Sequence, residues 1–219
     1  MEMLLDARKL PEGERVEYWR LAMHKVLQAR CHIEPAGNQS FEATMGVLPM
    51  GPWNMVEITG TAHTSHRDGP GAEGWVSLMC QLEGLGRMQE KEREALLRPG
   101  DICVVAPDRD IVSVRHGRFR QLVVNVPEAE LDEALPEWRE LTATRLQGDR
   151  PEVRAASDLL RYAADHHASL GHDCRAQLAV CVSGLLGGLA RSKGAKAEGP
   201  PSRLATYHRK RVERFVESE

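Results

Sequence analysis

The run Leu97-Arg98-Pro99-Gly100-Asp101-Ile102-Cys103-Val104-Val105-Ala106-Pro107 decides how this chain folds. Pro99 presets φ for a turn position, Gly100 supplies a positive φ, and Asp101 can bond its own backbone. The chain therefore reverses sharply into a short buried strand. Alone, that is one tight β-turn. Upstream, however, Leu82-Glu83-Gly84, then Gln89, then Arg93-Glu94-Ala95-Leu96-Leu97 make a strand–hairpin–strand unit that feeds straight into it. Working outward between Phe41 and Pro127, short runs rich in Val, Ile, Thr and Trp are punctuated by Gly, Pro and Asp. They predict strands over 42–47, 53–62, 75–83, 87–91, 94–97, 101–105, 111–115 and 119–126. Short strands at this spacing indicate a β-sandwich or barrel.

Helical periods bracket the barrel. Pro11 opens a first helix, with Glu12, Glu14 and Glu17 at the positive end of its dipole and Val16, Trp19, Met23, Val26 and Leu27 as one stripe. Past Pro127, the acidic stretch 129–145 is split by Pro136 into two short helices. A helical hairpin over 153–190 breaks around Gly171, its arms carrying Val153, Ala156 and Leu160, then Leu178, Val182, Leu185 and Leu189. SKGAKAEGPPS, residues 192–202, reads as a linker, and 203–219 as one more helix with Leu204, Val212, Phe215 and Val216 along one side. The expected fold is α+β: a β-barrel or jelly roll preceded by one helix and followed by a helical hairpin. The expected units are 1–127, 128–191, 192–202 and 203–219.

Composition removes several functions. Four Trp, three Tyr and three Phe in 219 residues are too few stacking platforms for a general single-strand nucleic-acid binder. Net charge is −3. Seven basic residues against Glu198 give 191–211 a net +6, and 212–219 carry −2, so the first 190 residues hold −7. Five cysteines without a C-x-x-C pair suggest neither a disulfide framework nor a zinc knuckle. The N-terminus lacks an apolar signal core, and no apolar stretch approaches the ~20 residues of a membrane span. These features predict a soluble, reduced, cytoplasmic protein with no membrane partner.

WVSLMCQLEG…MQEKEREALLRPGDICVVAP, Trp75 to Pro107, resembles the cupin-like N-terminal domain of AraC/XylS-type transcriptional regulators. Glu14 to Val26 resembles the lead-in helix of that domain, and Leu122-Val123-Val124-Asn125-Val126-Pro127 its exit into helices. Gly184-Leu185-Leu186-Gly187-Gly188-Leu189 resembles its dimerisation helices, and Arg211-Val212-Glu213-Arg214-Phe215-Val216-Glu217 the first helix of the family's DNA-binding domain. The resemblance implies a small-molecule effector and a homodimer. In the family two helix-turn-helix units follow. This sequence ends at Glu219, before either, so the resemblance implies the sensing and dimerising half of a regulator. It would reach DNA only through the missing C-terminal domain.

Catalytic constellations are not found. Metalloenzyme cupins show an H-x-H pair with a following Glu and a later His beyond the P-G-D turn. Here His63 and His66 are three apart, which puts them on opposite faces of a strand, and Asp108-Arg109-Asp110 fills the later position. A metal needs three or four converging donors, so His63, His66 and His116 are expected as surface or turn residues, with no metal and no cofactor. There is no G-x-S-x-G, and Gly69 to Gly74 reads as a flexible inter-strand loop rather than a phosphate loop. The expectation is a protein without enzymatic activity. A stand-alone cupin enzyme, and a truncated regulator acting through heterodimers, are the alternatives.

A pocket must then come from strand faces. Val76, Leu78, Cys80 and Leu82 form a uniformly apolar face, whereas Trp75, Ser77, Met79 and Gln81 mix an aromatic, a thioether and neutral hydrogen-bonding groups, as small-ligand pockets do. Trp53 and Met55, and Phe119 and Gln121, lie on similar mixed faces. These eight are the candidate ligand residues, with a solvent-facing sheet as the alternative. The last hairpin helix is apolar on more than one face, Val180 and Val182 included. That predicts a homodimer burying Leu178, Val182, Leu185 and Leu189.

Overall fold

The structure is a computed structural model and describes residues 1–194 apart from 29, 38 and 68–72, with side chains as far as Leu189. Its elements are β1 (Glu2–Asp6), α1 (Arg15–Leu27), β2 (Cys31–Pro35), β3 (Ala43–Met50), β4 (Trp53–Gly60), β5 (His63–Arg67), β6 (Trp75–Glu83), β7 (Gly86–Glu90), β8 (Arg93–Leu97), β9 (Ile102–Val105), β10 (Ile111–Arg115), β11 (Phe119–Pro127), α2 (Glu128–Ala134), β12 (Arg145–Leu146), α3 (Pro151–Asp165) and α4 (His172–Gly194). Each predicted strand is present. Four further strands, β1, β2, β5 and β12, join them.

Two antiparallel sheets face each other. One has seven strands in the order β1-β3-β4-β11-β6-β9-β12, the other five in the order β2-β5-β10-β7-β8. Together they make a cupin-like jelly roll. The seven-stranded sheet is covered on both sides, and its strands read accordingly: all four residues of β9 are buried, as are most of β11. The five-stranded sheet covers only its inner face, so β5, β7 and β10 alternate between buried and half-exposed residues.

The outer face of the larger sheet packs on the helices. Val76, Leu78, Cys80 and Leu82 meet Val153, Ala156 and Leu160 of α3 and Val182, Leu186 and Leu189 of α4 in one core. Polar ties pin α3 to the sheet. Arg120 forks onto Glu57 at 3.0 and 3.1 Å and reaches Asp165 at 2.7 Å, so carboxylates on both sides raise the Arg120 pKa above its ordinary value. On the other side of the molecule α1 presents Trp19, 1% exposed, to a second core with Phe41, Met45, Ile58 and Phe119. This helix closes the flank between the two sheets.

Helix α4 continues to Gly194, past the start of the linker expected at Ser192. The rest of that linker, the helix expected over 203–219 and most of the Gly69–Gly74 loop lie outside the described residues. Among the described residues no helix is long and apolar enough to cross a membrane.

Candidate functional site

The Pro99-Gly100-Asp101 turn positions the first interior side chain. Gly100 has φ 94°, and its amide donates to the Gln81 carbonyl at 2.8 Å, while the Gln81 amide donates to the Asp101 carbonyl at 3.0 Å. Asp101, 1% exposed, accepts from the Arg98 amide at 2.7 Å, the Gly148 amide at 2.8 Å and Arg145 Nε at 2.5 Å. A turn stitched on both sides fixes Gln81 in register.

Across the barrel, the register of the smaller sheet sorts its inward residues into rows. Cys31, Arg67 and Ile111 stand side by side, then Ile33, Ser65, Ser113 and Met88, then His63, Arg115 and Gly86. The last row meets Gln81, Gln121 and Phe119 of the larger sheet. Arg115 Nη2 donates to Gln121 Oε1 at 2.6 Å, Gln121 Nε2 donates to Gln81 Oε1 at 2.9 Å, and Gln81 Nε2 donates to the Glu83 carbonyl at 2.7 Å. Gln81 and Gln121 are both 0% exposed. Such a buried chain is worth its desolvation only when its groups are matched.

Electrostatics at this floor are one-sided. Burial lowers the Arg115 pKa to about 10, which leaves it charged at neutral pH. Burial first, and the Arg115 charge second, push His63 down to about 4. Its ring is therefore neutral. Because the Thr61 carbonyl only accepts, His63 Nδ1, 2.9 Å away, carries the proton, and Nε2 is left as an acceptor. Phe119 lies beneath both groups, 5.2 Å from the guanidinium and 5.5 Å from the His63 ring. Interior exposure rises away from this floor: Gln81 is buried, but Met79, Ser77 and Trp75 are part-exposed, as is Asn125, to which Ser77 donates at 2.8 Å. The interior opens at that end.

Of the eight candidate ligand residues, six lie on the interior face: Trp75, Ser77, Met79, Gln81, Phe119 and Gln121. Trp53 and Met55 do not. They lie on the opposite side of the same sheet, in the core shared with the helices, where Trp53 Nε1 donates to Glu130 at 2.6 Å. Strand β4 is buried on both faces, so alternation gives no clue to which is interior. His63 also corrects the expectation of a surface histidine, being 2% exposed, whereas His66 points outward and sits 3.7 Å from Glu34. Sequence reasoning passed over Arg115 and Arg67. The inward phase of Ile111 and Ser113 was the available signal. No group of three or more His, Cys, Asp or Glu that could hold a metal occurs among the described residues.

On the helices, Val182 and Leu189 are at most 1% exposed inside the protomer's own core, and Leu178 and Leu185 pack against it. The expected interface stripe is largely consumed by α3 and the sheet. Val180, 64% exposed, points the other way, beside a groove of about 470 Å³ between α2, α4 and the β3–β4 turn.

The fold and its enclosed polar floor define the class: a cupin-like jelly roll carrying a C-terminal helical hairpin. Comparison with known proteins gives the family. The chain belongs to the AraC-binding-like domain family, whose model matches residues 19–190, and so to the domains of AraC-type transcriptional regulators. An uncharacterized protein in the nit 5′ region of Bacillus sp. (strain OxB-1) is 24% identical over 222 residues, covering 99% of this chain and 85% of that one. The crystal structure of the AraC-like transcriptional activator CuxR superposes with a TM-score of 0.71 at 13% identity, over 91% of this chain and 71% of that chain. That likeness is one of fold. A cupin superfamily protein from Desulfitobacterium hafniense DCB-2 matches only 43% of this chain and 83% of its own, with TM-score 0.35 and 16% identity.

Proposed function

We propose that this chain senses a small molecule inside the jelly roll and dimerises through its helices, as the effector half of a transcriptional regulator. The observation that carries the reading is the floor of the barrel. Three polar side chains, Arg115, Gln121 and Gln81, are buried together there in one hydrogen-bonded chain. A barrel built only for stability gains more from an apolar filling. Membership of the AraC-binding-like family supports a regulatory rather than a catalytic use of that interior. The second copy in this reading docks on the Val180 side of α4. DNA contact falls to helix-turn-helix units, none of which is present among the described residues.

The test is a thermal-shift and tryptophan-fluorescence screen of the 219-residue chain against a broad library of metabolites. At least one compound class should raise the melting temperature by several degrees, since a ligand at a hundredfold its Kd stabilises by about 2.7 kcal/mol. Gln81→Leu and Gln121→Leu should remove that response. Hits that survive both substitutions would place the ligand elsewhere.

A further inference from the structure

Arg115 is the side chain that the fold leaves least matched. It is 6% exposed, and of its three guanidinium nitrogens only Nη2 has a hydrogen-bond partner, the Gln121 side chain. Nε and Nη1 are buried without one, and no carboxylate pairs with Arg115 among the described residues. A buried charge held this way is strongly unfavourable unless something else completes it. Arg67, the other arginine on that sheet's inner face, is better matched: its Nη2 donates to the Ala106 and Arg109 carbonyls at 2.5 and 2.6 Å, although its Nε is also buried without a partner. Arg115 instead sits in close packing beside Gln81 and Gln121. Its neighbour on β7 is Gly86, where even a Cβ would come within 2.9 Å of Gln81 Oε1.

What surrounds this cation is aromatic. Phe119 touches His63, His63 meets Phe41 at 5.5 Å, and Phe41 meets Trp19 at 6.2 Å between ring centroids. Trp19 Nε1 is a further buried donor without a partner. One uncompensated positive charge, unmatched N–H groups and apolar walls fit a ligand with one negative charge and an apolar body. A phosphate dianion would bring more charge and more acceptors than the floor can match.

We infer that Arg115 is an anion anchor and that the effector is a small organic monocarboxylate, its oxygens accepting from Arg115 Nε and Nη1 and its apolar body directed toward Met79 and the open end. The inference rests on the reading of the barrel as an effector site and adds the ligand's class.

The experiment titrates the 219-residue chain with acetate, butanoate, hexanoate, benzoate and phenylacetate, each beside its neutral amide, at matched ionic strength, with inorganic phosphate as a further arm. Binding is followed by calorimetry and thermal shift. At least one carboxylate should bind while its amide and phosphate do not, and Arg115→Met should weaken that binding at least tenfold. Arg115→Met without ligand should stay folded, its melting temperature lowered by no more than the loss of the one hydrogen bond to Gln121. A readout without any variant is the set of arginine ¹⁵Nε–H resonances, of which one should move with the carboxylate and stay still with the amide. Amides binding as well as acids, or binding that survives Arg115→Met, would each overturn the anchor. Neutral compounds binding in a Gln81-dependent way, with no carboxylate doing so, would overturn the anchor and leave the effector site standing. A chain that binds nothing in this series or in the broad library overturns both.

Discussion

Replacing Asp101 by alanine should destabilise the fold by about 4 kcal/mol, the largest effect expected of any single polar side chain here. The carboxylate is 1% exposed and accepts two backbone amides, those of Arg98 and Gly148, at 2.7 and 2.8 Å. A hydrogen bond to a buried charged group contributes roughly 1.5 kcal/mol at the low end, so the two amides supply about 3 kcal/mol. Arg145 adds two more contacts at 2.5 and 3.2 Å, but its side chain is 33% exposed. Solvent holds that ion pair to about 1 kcal/mol or less. Equilibrium urea unfolding reads the sum as a fall in midpoint at unchanged m. The melting temperature should fall by about 10 °C. Asp101→Asn keeps one acceptor and turns an amide toward the remaining donors, for a loss of about 2 kcal/mol. Arg145→Ala should lose about 1 kcal/mol or less. The reasoning is refuted if Asp101→Ala costs under 1 kcal/mol, or if Arg145→Ala costs as much as Asp101→Ala. In the second case the ion pair, and not the stitched turn, would hold the corner.

Three other outcomes follow from particular geometries. Gly84 has φ 75°, and a Cβ there would strike the Arg118 carbonyl, so Gly84→Ala should cost about 3 kcal/mol in urea unfolding. Gly74, at φ 76° with open space around it, is the control and should lose only about 1 kcal/mol. His63, held near 4 in the fold against an ordinary 6.5, is neutral in the native state while the unfolded chain takes up its proton. Its stabilisation is complete above pH ~6.5 and is lost as pH falls toward 4, by about 3 kcal/mol in all; His63→Gln should flatten that part of the stability–pH curve. Finally, sedimentation equilibrium at micromolar concentration should show a dimer that Val180→Glu converts to a folded monomer. Val182→Glu, at a position with 0% exposure, should unfold the protomer instead.

The barrel, its lead-in helix and the helical hairpin were legible because strand alternation, turn chemistry and helical stripes agreed there. The family resemblance rested on the order of those same segments. Of the four strands that escaped, β5 is the one whose inward face is polar. His63-Thr64-Ser65-His66-Arg67 has no hydrophobic residue, yet it is central enough to pair with both β2 and β10. Its inward side chains are polar because they line the interior rather than fill it. The misplaced Trp53 and Met55 have the opposite cause. A strand buried on both faces carries apolar residues at every phase, and only pairing to β11, Val56 to Val123 and Ile58 to Gln121, sets which side is interior. Arg115 was hidden by charge, since a cation at a strand end reads as a solvated terminus.

Strand β6 shows why these two kinds of information belong together. Successive side chains of a strand point to opposite faces, and on β6 the two faces serve different partners. Gln81 points to the barrel floor, held there by the backbone bonds of the Pro99-Gly100-Asp101 turn. Cys80 points to the helices, with its Sγ 3.3 Å from Ser157 Oγ on α3 and its thiol pushed up to about 11 by burial. Two residues along, the Leu82 carbonyl accepts from Arg161 of the same helix at 3.4 Å. Asp101 meanwhile clamps Gly148 in the loop that leads into α3. The floor of the interior and the base of the helical hairpin are thus built on one strand and one turn. Interiors packed this closely shift between discrete arrangements rather than deforming continuously. A displacement at Gln81 therefore has to be taken up at the Cys80–Ser157 and Leu82–Arg161 contacts or at the Asp101 clamp, all of which bear on α3.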